Sequence, residues 1–519
     1  MHAMELDPDT CYKAVASHDR RFDGRFFVGV SSTGVYCRPI CAVRTPKREN
    51  CTFYESAASA EKHGFRPCLR CRPELAPGHG LADISGRLAQ AAATLIDEGF
   101  MSDAGVAQLA GRIGVTERHL RRLFDAEFGV SVHEYAQTQK LLLAKRLLTD
   151  TTLPVTEVAL AAGFGSVRRF NDVLKERYGL TPLAMRRRAA DGMADRLVFE
   201  LGYRPPLAWA EWLRFLGVRV VDGVDQCHGG AYTRTVSIEA NGQRHLGWVR
   251  LEHVVKRAVV RVTLSGSLAH VIPQVLGKVR RLCDLGCRPD IVDAHLGELA
   301  ARTPGMRLPG TFDGLEIAVR AIVGQVISVV QARRILARLV RIAGEPLPEA
   351  ALAGLVHPID MAPLSHAFPT AQALASLPDA DYEAAGVTTA KTHAIRALAR
   401  QVAAGEIRLD PHAAPDDTVA RLCAIDGIGD WTAQYVAMRA LGWPDAFPGT
   451  DYALRKVLGV STVRAMQART AQWAPWRAYA AIHLWHRYEE LKDELKDELK
   501  DESKDEPKAP GADIEEEAA

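Results

Sequence analysis

The chain has 519 residues, which at roughly 100–200 residues per domain makes three or four folded units. Hydrophobic residues are 47% and charged residues 25%, ordinary for a globular chain with a sizeable core. Lys+Arg 65 against Asp+Glu 63 leaves a formal charge of +2, which as an average favours neither a nucleic-acid binder nor an acidic partner. No apolar run of about 18 residues or more occurs, and the acidic start MHAMELDPDT lacks an apolar segment, so membrane spans and secretion are not expected.

Residues 1–78 read as a Cys- and Arg-rich module ending in the turn former Pro77-Gly78-His79-Gly80. Six of the ten cysteines lie in the first 71 residues, whereas all eight tryptophans follow residue 200. Cys37-x3-Cys41 and Cys68-x2-Cys71 are close pairs separated by 26 residues. Each pair can supply one edge of a zinc tetrahedron with Zn–S of about 2.3 Å, and so small a core needs such a staple. Cys11 and Cys51 have no short-range partner and read as plain thiols. Arg38, Arg44, Lys47, Arg48, Arg66, Arg70 and Arg72 crowd the pairs, a density expected where phosphates approach. The stretch FFVGVSSTGVYCRPICAVRTPKRENCTFYESAASAEKHGFRPCLRCRPE resembles the N-terminal domain of Ada-type DNA-repair proteins. The resemblance implies a small α+β domain whose zinc is held by Cys37, Cys41, Cys68 and Cys71. It also implies that Cys37 irreversibly takes a methyl group from a DNA methyl phosphotriester, with Arg44 among the DNA contacts.

Residues 82–190 read as helical, with apolar spacing near 3.6 and almost no proline. Residues 106–129 (VAQLAGRIGVTERHLRRLFDAEFG) resemble 155–179 (VTEVALAAGFGSVRRFNDVLKERYG), a diverged repeat joined by VHEYAQTQKLLLAKRLLTD. Gly114 and Gly163 stand where the turn of a helix-turn-helix falls, each followed by a basic helix. The pattern ALAAGFGSVRRFNDVLKERYGLTPLAMRR is similar to AraC-type regulators. That implies an all-α reader of double-stranded DNA with helices in successive major-groove faces and Arg121, Arg122, Arg168 and Arg169 as candidate contacts. Arg186-Arg187-Arg188 and an Ala/Asp/Gly linker close the unit.

Residues 195–310 carry TRTVSIEA, HLGWVRLE and AVVRVTLSG, whose alternation predicts strands in an α+β unit. Residues 311–488 read as helices broken by Gly/Pro turns. Within them Ile425-Asp426-Gly427-Ile428-Gly429-Asp430-Trp431-Thr432-Ala433 predicts a hairpin between helices. Its backbone amides can hold a DNA phosphate, with a monovalent cation at 423–429. Asp451 follows Trp431 by 20 residues, within Thr450-Asp451-Tyr452-Ala453-Leu454-Arg455-Lys456. With AVRAIVGQVISVVQA at 318–332 and WAPWRAYAAIHLWHR at 473–487, this resembles the helix-hairpin-helix DNA glycosylases of the AlkA type, which release 3-methyladenine.

Carried over by position, the resemblance implies Asp451 as the catalytic carboxylate and Trp431 and Trp485 as aromatics that stack on the flipped base. Val326 becomes the wedge that fills the vacated stack, and Gly427, Gly429 and Thr432 the phosphate contacts. The position of Trp431 holds no lysine, so a monofunctional enzyme is expected. The last cysteine is Cys423, so an iron–sulfur cluster is not. No Pro-Cys-His-Arg motif occurs, which argues against O6-methylguanine transfer.

Residues 489–519 are low complexity and read as disordered or as a frayed helical extension, with Leu491, Leu495 and Leu499 at i, i+4. They hold 14 acidic residues and 5 lysines, a net of −9, leaving 60 basic and 49 acidic residues, +11, in residues 1–488. The body is cationic, as a DNA-binding chain requires. The expectation is a monomeric repair protein of the bacterial cytoplasm that acts on alkylated and promoter DNA, with RNA polymerase as partner when Cys37 methylation makes it an activator. The alternative is a methylation-sensing regulator whose glycosylase-like part only binds DNA.

Overall fold

The computed structural model describes residues 7–78, 87–102, 104–186, 196–240 and 242–505. His79-Gly80, Arg187-Arg188 with the Ala/Asp/Gly linker, and the tail after Asp505 lie outside them. Among the described residues, no helix is long and apolar enough to cross a membrane.

The N-terminal module opens with α1 (Pro8–Ala16), capped by the Asp7 carboxylate on the Asp9 and Thr10 amides. A four-stranded sheet follows: β1 (Phe27–Val30), β2 (Val35–Cys37), β3 (Cys51–Tyr54) and β4 (Arg66–Pro67), in the order β3-β1-β2-β4. Its pairs are antiparallel except β2 with β4. That parallel pairing sets the chain before Cys68 beside the strand that ends in Cys37. Helix α2 (Ala57–Lys62) fills the crossover, capped by the Ser56 hydroxyl.

The helical unit contains α3 (Arg87–Asp97), α4 (Val106–Ile113), α5 (Glu117–Phe128), α6 (Val132–Asp150), α7 (Val155–Ala161), α8 (Val167–Tyr178) and the short α9 (Pro182–Met185). The sequence repeat becomes a repeat of caps. Helices α5 and α8 both have 12 residues, start on the Thr116 and Ser166 hydroxyls, and stop at Gly129 and Gly179. Both glycines have φ +66, the left-handed stop that other residues avoid. Between them, α6 runs over the predicted joining helix, held at its start by a reciprocal Ser131–Glu134 box.

A second, five-stranded antiparallel sheet has the order β5-β9-β8-β7-β6, from β5 (Arg196–Gly202), β6 (Asp225–His228), β7 (Ala231–Ala240), β8 (Gln243–Val254) and β9 (Val259–Ser265). The three predicted strands are β7, β8 and β9. β5 was not anticipated, although Leu197, Phe199 and Leu201 are buried in alternation with the exposed Val198. β6 is a short edge with little pattern to read. The remainder is helical, and its last helix runs unbroken from Arg477 to Asp505. Arg487 reaches Glu490 at 3.1 Å and Glu494 at 2.8 Å along it, so the predicted extension is helical backbone through Asp505.

The modules pack against one another. Leu141, Leu147 and Phe170 of the helical unit share one buried cluster with Leu197, Phe199 and Leu264 of the five-stranded sheet. Lys145 of α6 donates to the buried Glu74 at 2.5 Å. Arg204, 2% exposed, donates to the Asp23 carbonyl at 3.1 Å, the Gly78 carbonyl at 3.2 Å and the Gly286 carbonyl at 2.9 Å. Arg112 of α4 meets Asp410 at 2.7 Å. The Lys145–Glu74 pair, with both side chains buried, fixes relative position more than it adds stability.

Candidate functional site

Cys37 ends β2, Cys41 follows in the next turn, and Cys68 and Cys71 bracket the turn after β4. The four sulfurs all lie within 4.8 Å of one another, and the first three cysteines are buried. The Arg38 amide donates to Cys71 Sγ at 3.4 Å and the Arg70 amide to Cys68 Sγ at 3.4 Å. Four sulfurs within 4.8 Å of one another, two with amide donors, fit zinc.

The surrounding cations divide into two groups. Arg38 is 8% exposed and donates through Nε to Asp23 at 2.8 Å and through NH1 to the Cys71 carbonyl at 3.2 Å. Arg72 pairs with Glu74 at 3.0 Å and Asp150 at 2.6 Å. Arg48 lies over the Tyr12 and Phe53 rings. Arg38 and Arg72 brace the module, which corrects the reading of the whole cluster as phosphate-facing, whereas the Arg48 side chain stays 41% exposed. Arg44, Lys47, Arg66 and Arg70 are exposed.

In the helical unit Arg118, Arg121, Arg122, Arg168 and Arg169 are exposed on α5 and α8. Arg121 pairs with Glu117 one turn back, and Arg122 lies 3.2 Å from His119 Nδ1. The buried faces of the same helices, Leu120, Phe124 and Phe128 in α5 and Phe170, Val173, Leu174 and Tyr178 in α8, leave the basic face outward.

The third site is a cavity of about 290 Å³ whose lining includes Trp431, Tyr435, Asp451, Trp485, Arg219 and Arg439. Asp451 caps the helix Tyr452–Leu458, its Oδ1 accepting from the Leu454 amide at 3.0 Å. The same carboxylate accepts from Trp431 Nε1 at 2.9 Å on Oδ2 and from Trp485 Nε1 at 3.1 Å on Oδ1. The cap and the cavity-facing group are therefore one carboxylate, with both oxygens held. Tyr435 stacks on Trp431 with ring centroids 5.2 Å apart and planes 6° apart. Arg439 NH1 donates to its hydroxyl at 2.6 Å.

The hairpin joins the helices Pro415–Cys423 and Asp430–Ala440. Gly427 has φ +89, and a Cβ there would meet the Ala394 methyl at 3.2 Å, whereas a Cβ at Gly429 would point into open space. The backbone thus presents an unobstructed side at Gly429. Val326, fully exposed, sits at φ +60, a conformation rare for a β-branched residue. The loop is clamped beneath it: Gln325 Nε2 donates to the Gly427 carbonyl at 3.1 Å and to Thr432 Oγ1 at 3.0 Å. Lys391 donates to the Val323 and Gln325 carbonyls, both at 2.8 Å. Thr432 is 2% exposed, so its side chain is not available to DNA. Its hydroxyl secures the Val326 loop instead, and only the backbone of this turn remains to meet a phosphate.

Three family models match the chain: the metal binding domain of Ada over residues 10–74, a helix-turn-helix domain over 109–188, and the AlkA N-terminal domain over 198–313. In two strains of Mycobacterium tuberculosis, the "Probable bifunctional transcriptional activator/DNA repair enzyme AlkA" is 36% identical over 502 residues. The alignment covers 94% of this chain and 97% of the relative. The chain belongs to this bifunctional AlkA family. The DNA-3-methyladenine glycosylase 2 of Escherichia coli is 32% identical over 289 residues, covering 56% of this chain and 97% of that enzyme. The bifunctional AdaA of Bacillus subtilis is 29% identical over 184 residues, covering 35% and 84%.

Within this member of the family, Tyr435 and Arg439 were not anticipated from the sequence, although Trp431, Tyr435 and Arg439 follow at i, i+4 and i+8, one helix face. Phe215, whose ring centre lies 6.3 Å from that of Trp485, had no local signal at all. Trp431→Phe keeps a flat ring but removes one donor to Asp451. It should slow base release about tenfold, the worth of a hydrogen bond to a charged group, with less effect on duplex binding. Single-turnover release and a binding isotherm separate the two.

Proposed function

We propose that this chain repairs alkylated double-stranded DNA in two ways: as a monofunctional glycosylase that releases 3-methyladenine, and as a single-turnover acceptor of methyl groups from phosphotriesters. The observation that carries the first reading is the Asp451 carboxylate, pinned by two indole N–H groups at the wall of an aromatic-lined cavity. A nucleotide flipped from the duplex places its base against Trp431 and Trp485, while Val326 enters the gap left behind. Asp451 then faces the sugar as the glycosidic bond lengthens and positive charge builds on the ring. It stabilises that charge and orients the attacking water. A cationic alkylated base departs without prior protonation. The hairpin amides from Gly427 to Thr432 hold a phosphate of the flipped strand. A monovalent cation behind them would bind backbone carbonyls of 423–429, where the Gly427 carbonyl already accepts one hydrogen bond. The test is 3-methyladenine release from alkylated duplex, wild type against Asp451→Asn.

In the second activity the Cys37 sulfur attacks the methyl carbon of the phosphotriester. The S–C bond forms, the C–O bond breaks, and its electron pair stays on the phosphate oxygen as a diester anion. Bound zinc keeps the sulfur a thiolate at neutral pH. Arg44, Lys47, Arg66 and Arg70 face the phosphates, and Arg121, Arg122, Arg168 and Arg169 face the duplex from α5 and α8. The methylated chain, acting as a monomer, engages RNA polymerase at its promoter. Metal analysis should find about one zinc per chain, and Cys68→Ala should lose it together with methyl uptake. Two or more zinc ions per chain, or full uptake by the variant, contradict the assignment. Deleting residues 489–519 removes a net charge of −9 and should tighten non-specific duplex binding several-fold at low salt, with the difference fading as salt rises. Equal salt titrations of the two chains would show that the tail does not sense the DNA-binding surfaces.

A further inference from the structure

Helix α2 of the zinc module reaches the C-terminal ends of both basic helices. Ser56, its cap, donates to the Phe128 carbonyl at 3.2 Å. Lys62, its last residue, donates to the Gly129 carbonyl at 3.2 Å. Phe128 ends α5 and Gly129 is its stop. From the same helix the Glu61 carboxyl accepts the hydroxyl of Tyr178, the last residue of α8, at 2.9 Å on Oε1. Two further hydroxyls converge on it: Tyr36 at 3.1 Å on Oε1 and Thr138 at 2.9 Å on Oε2. Tyr36 precedes Cys37 in β2, and Thr138 lies within α6.

All four residues are buried, Glu61 at 5% and Tyr36 at 0% exposure. Burial lifts the Glu61 carboxyl to about 7, against the opposing pull of the Thr138, Tyr178 and Tyr36 hydroxyls. A carboxyl so deep is costly, and an apolar side chain would fill the space more cheaply. An apolar side chain, though, sets neither the direction nor the rotation of its neighbours, whereas three O–H donors on one carboxyl set both.

We infer that Glu61 is a positioning residue for DNA recognition, fixing α8 against α5 and against the strand that carries Cys37, so that the two helix-turn-helix units read their boxes at one spacing. The inference rests on the reading of α5 and α8 as a tandem duplex reader. Two recognition helices held at a fixed offset bind both boxes jointly. Helices free to drift bind each box as before but lose the joint gain. The zinc module is thereby part of the reader, because its α2 holds both helices by their ends.

The test uses the full chain and a pool of random duplexes. Selection should recover sites with two boxes at one spacing, after which affinity is measured on duplexes carrying both boxes or either one. Glu61→Gln retains an acceptor for both tyrosines and a donor for Thr138, and should stay within about threefold of wild type. Glu61→Leu should weaken two-box binding about tenfold or more, keep one-box binding within about twofold, and accept a wider range of spacings. Tyr178→Phe, which removes one hydroxyl and keeps the ring, should show the same pattern at about threefold. It decides the matter should the leucine variant lose its zinc or its glycosylase activity. Equal loss on one-box and two-box duplexes, or unchanged spacing preference in both variants, overturns the inference. A wild-type chain with no two-box preference overturns the tandem reading and this inference with it.

Discussion

Asp451→Asn is expected to release 3-methyladenine from alkylated duplex about 10²–10³-fold more slowly in a single turnover, while binding the same duplex as tightly as wild type. Asparagine keeps the shape and caps a helix about as well as aspartate, so the Leu454 amide retains its acceptor and the helix Tyr452–Leu458 should persist. What disappears is the negative charge opposite the sugar. The amide also turns a donor toward one of the two indole N–H groups that now point at the carboxylate, which disturbs the site locally without emptying the cavity. Loss of release with retained binding is therefore the signature of an electrostatic role. Equal release by both chains would remove the catalytic assignment of Asp451, whereas no release by wild type would leave the regulator reading, in which this half of the chain only binds DNA.

Exposure to duplex bearing methyl phosphotriesters is expected to add about 14 Da, one methyl in place of one hydrogen, to the peptide holding Cys37 and to tighten subsequent DNA binding. Zinc with four thiolates carries two net negative charges, and converting one sulfur to a thioether leaves one. Arg44, Lys47, Arg66 and Arg70 flank the four cysteines along the chain and are exposed, so the lost charge should be felt by any phosphate they meet. A gain of roughly 3- to 100-fold at low ionic strength is expected, shrinking as salt screens it. Cys37→Ser should abolish the label. Label on Cys41, Cys68 or Cys71 alone would assign the methyl to another sulfur, and unchanged affinity after labelling would separate repair from any switch.

Signals carried by close neighbours in the chain were read directly. The two cysteine pairs, the Gly-Ile-Gly hairpin and the duplicated helix pattern each occupy a few turns, and local spacing sets their geometry. The repeat is a good case: Thr116 and Ser166, Gly129 and Gly179 do the same capping work in both copies. Chemical character without a partner misled where burial intervened. Arg38 and Arg72 look like phosphate ligands but sit in ion pairs. Thr432 looks like a hairpin contact but spends its hydroxyl on Gln325, 107 positions earlier. Glu61 sits in a short helix beside Lys62, with nothing in its surroundings along the chain to suggest that three distant hydroxyls meet on it.

The sequence by itself determined the kinds of module present and the four sulfurs, which follow from residue type and short-range spacing, while Asp451, Trp431 and Trp485 were singled out by resemblance to AlkA-type glycosylases. Only the tertiary structure decided that both indole N–H groups hold Asp451, that Tyr435 and Arg439 complete the wall, and that the zinc module grips both basic helices by their ends. Those arrangements join segments dozens to hundreds of residues apart. Packing of buried surfaces selects such pairings, and no periodicity along the chain records them.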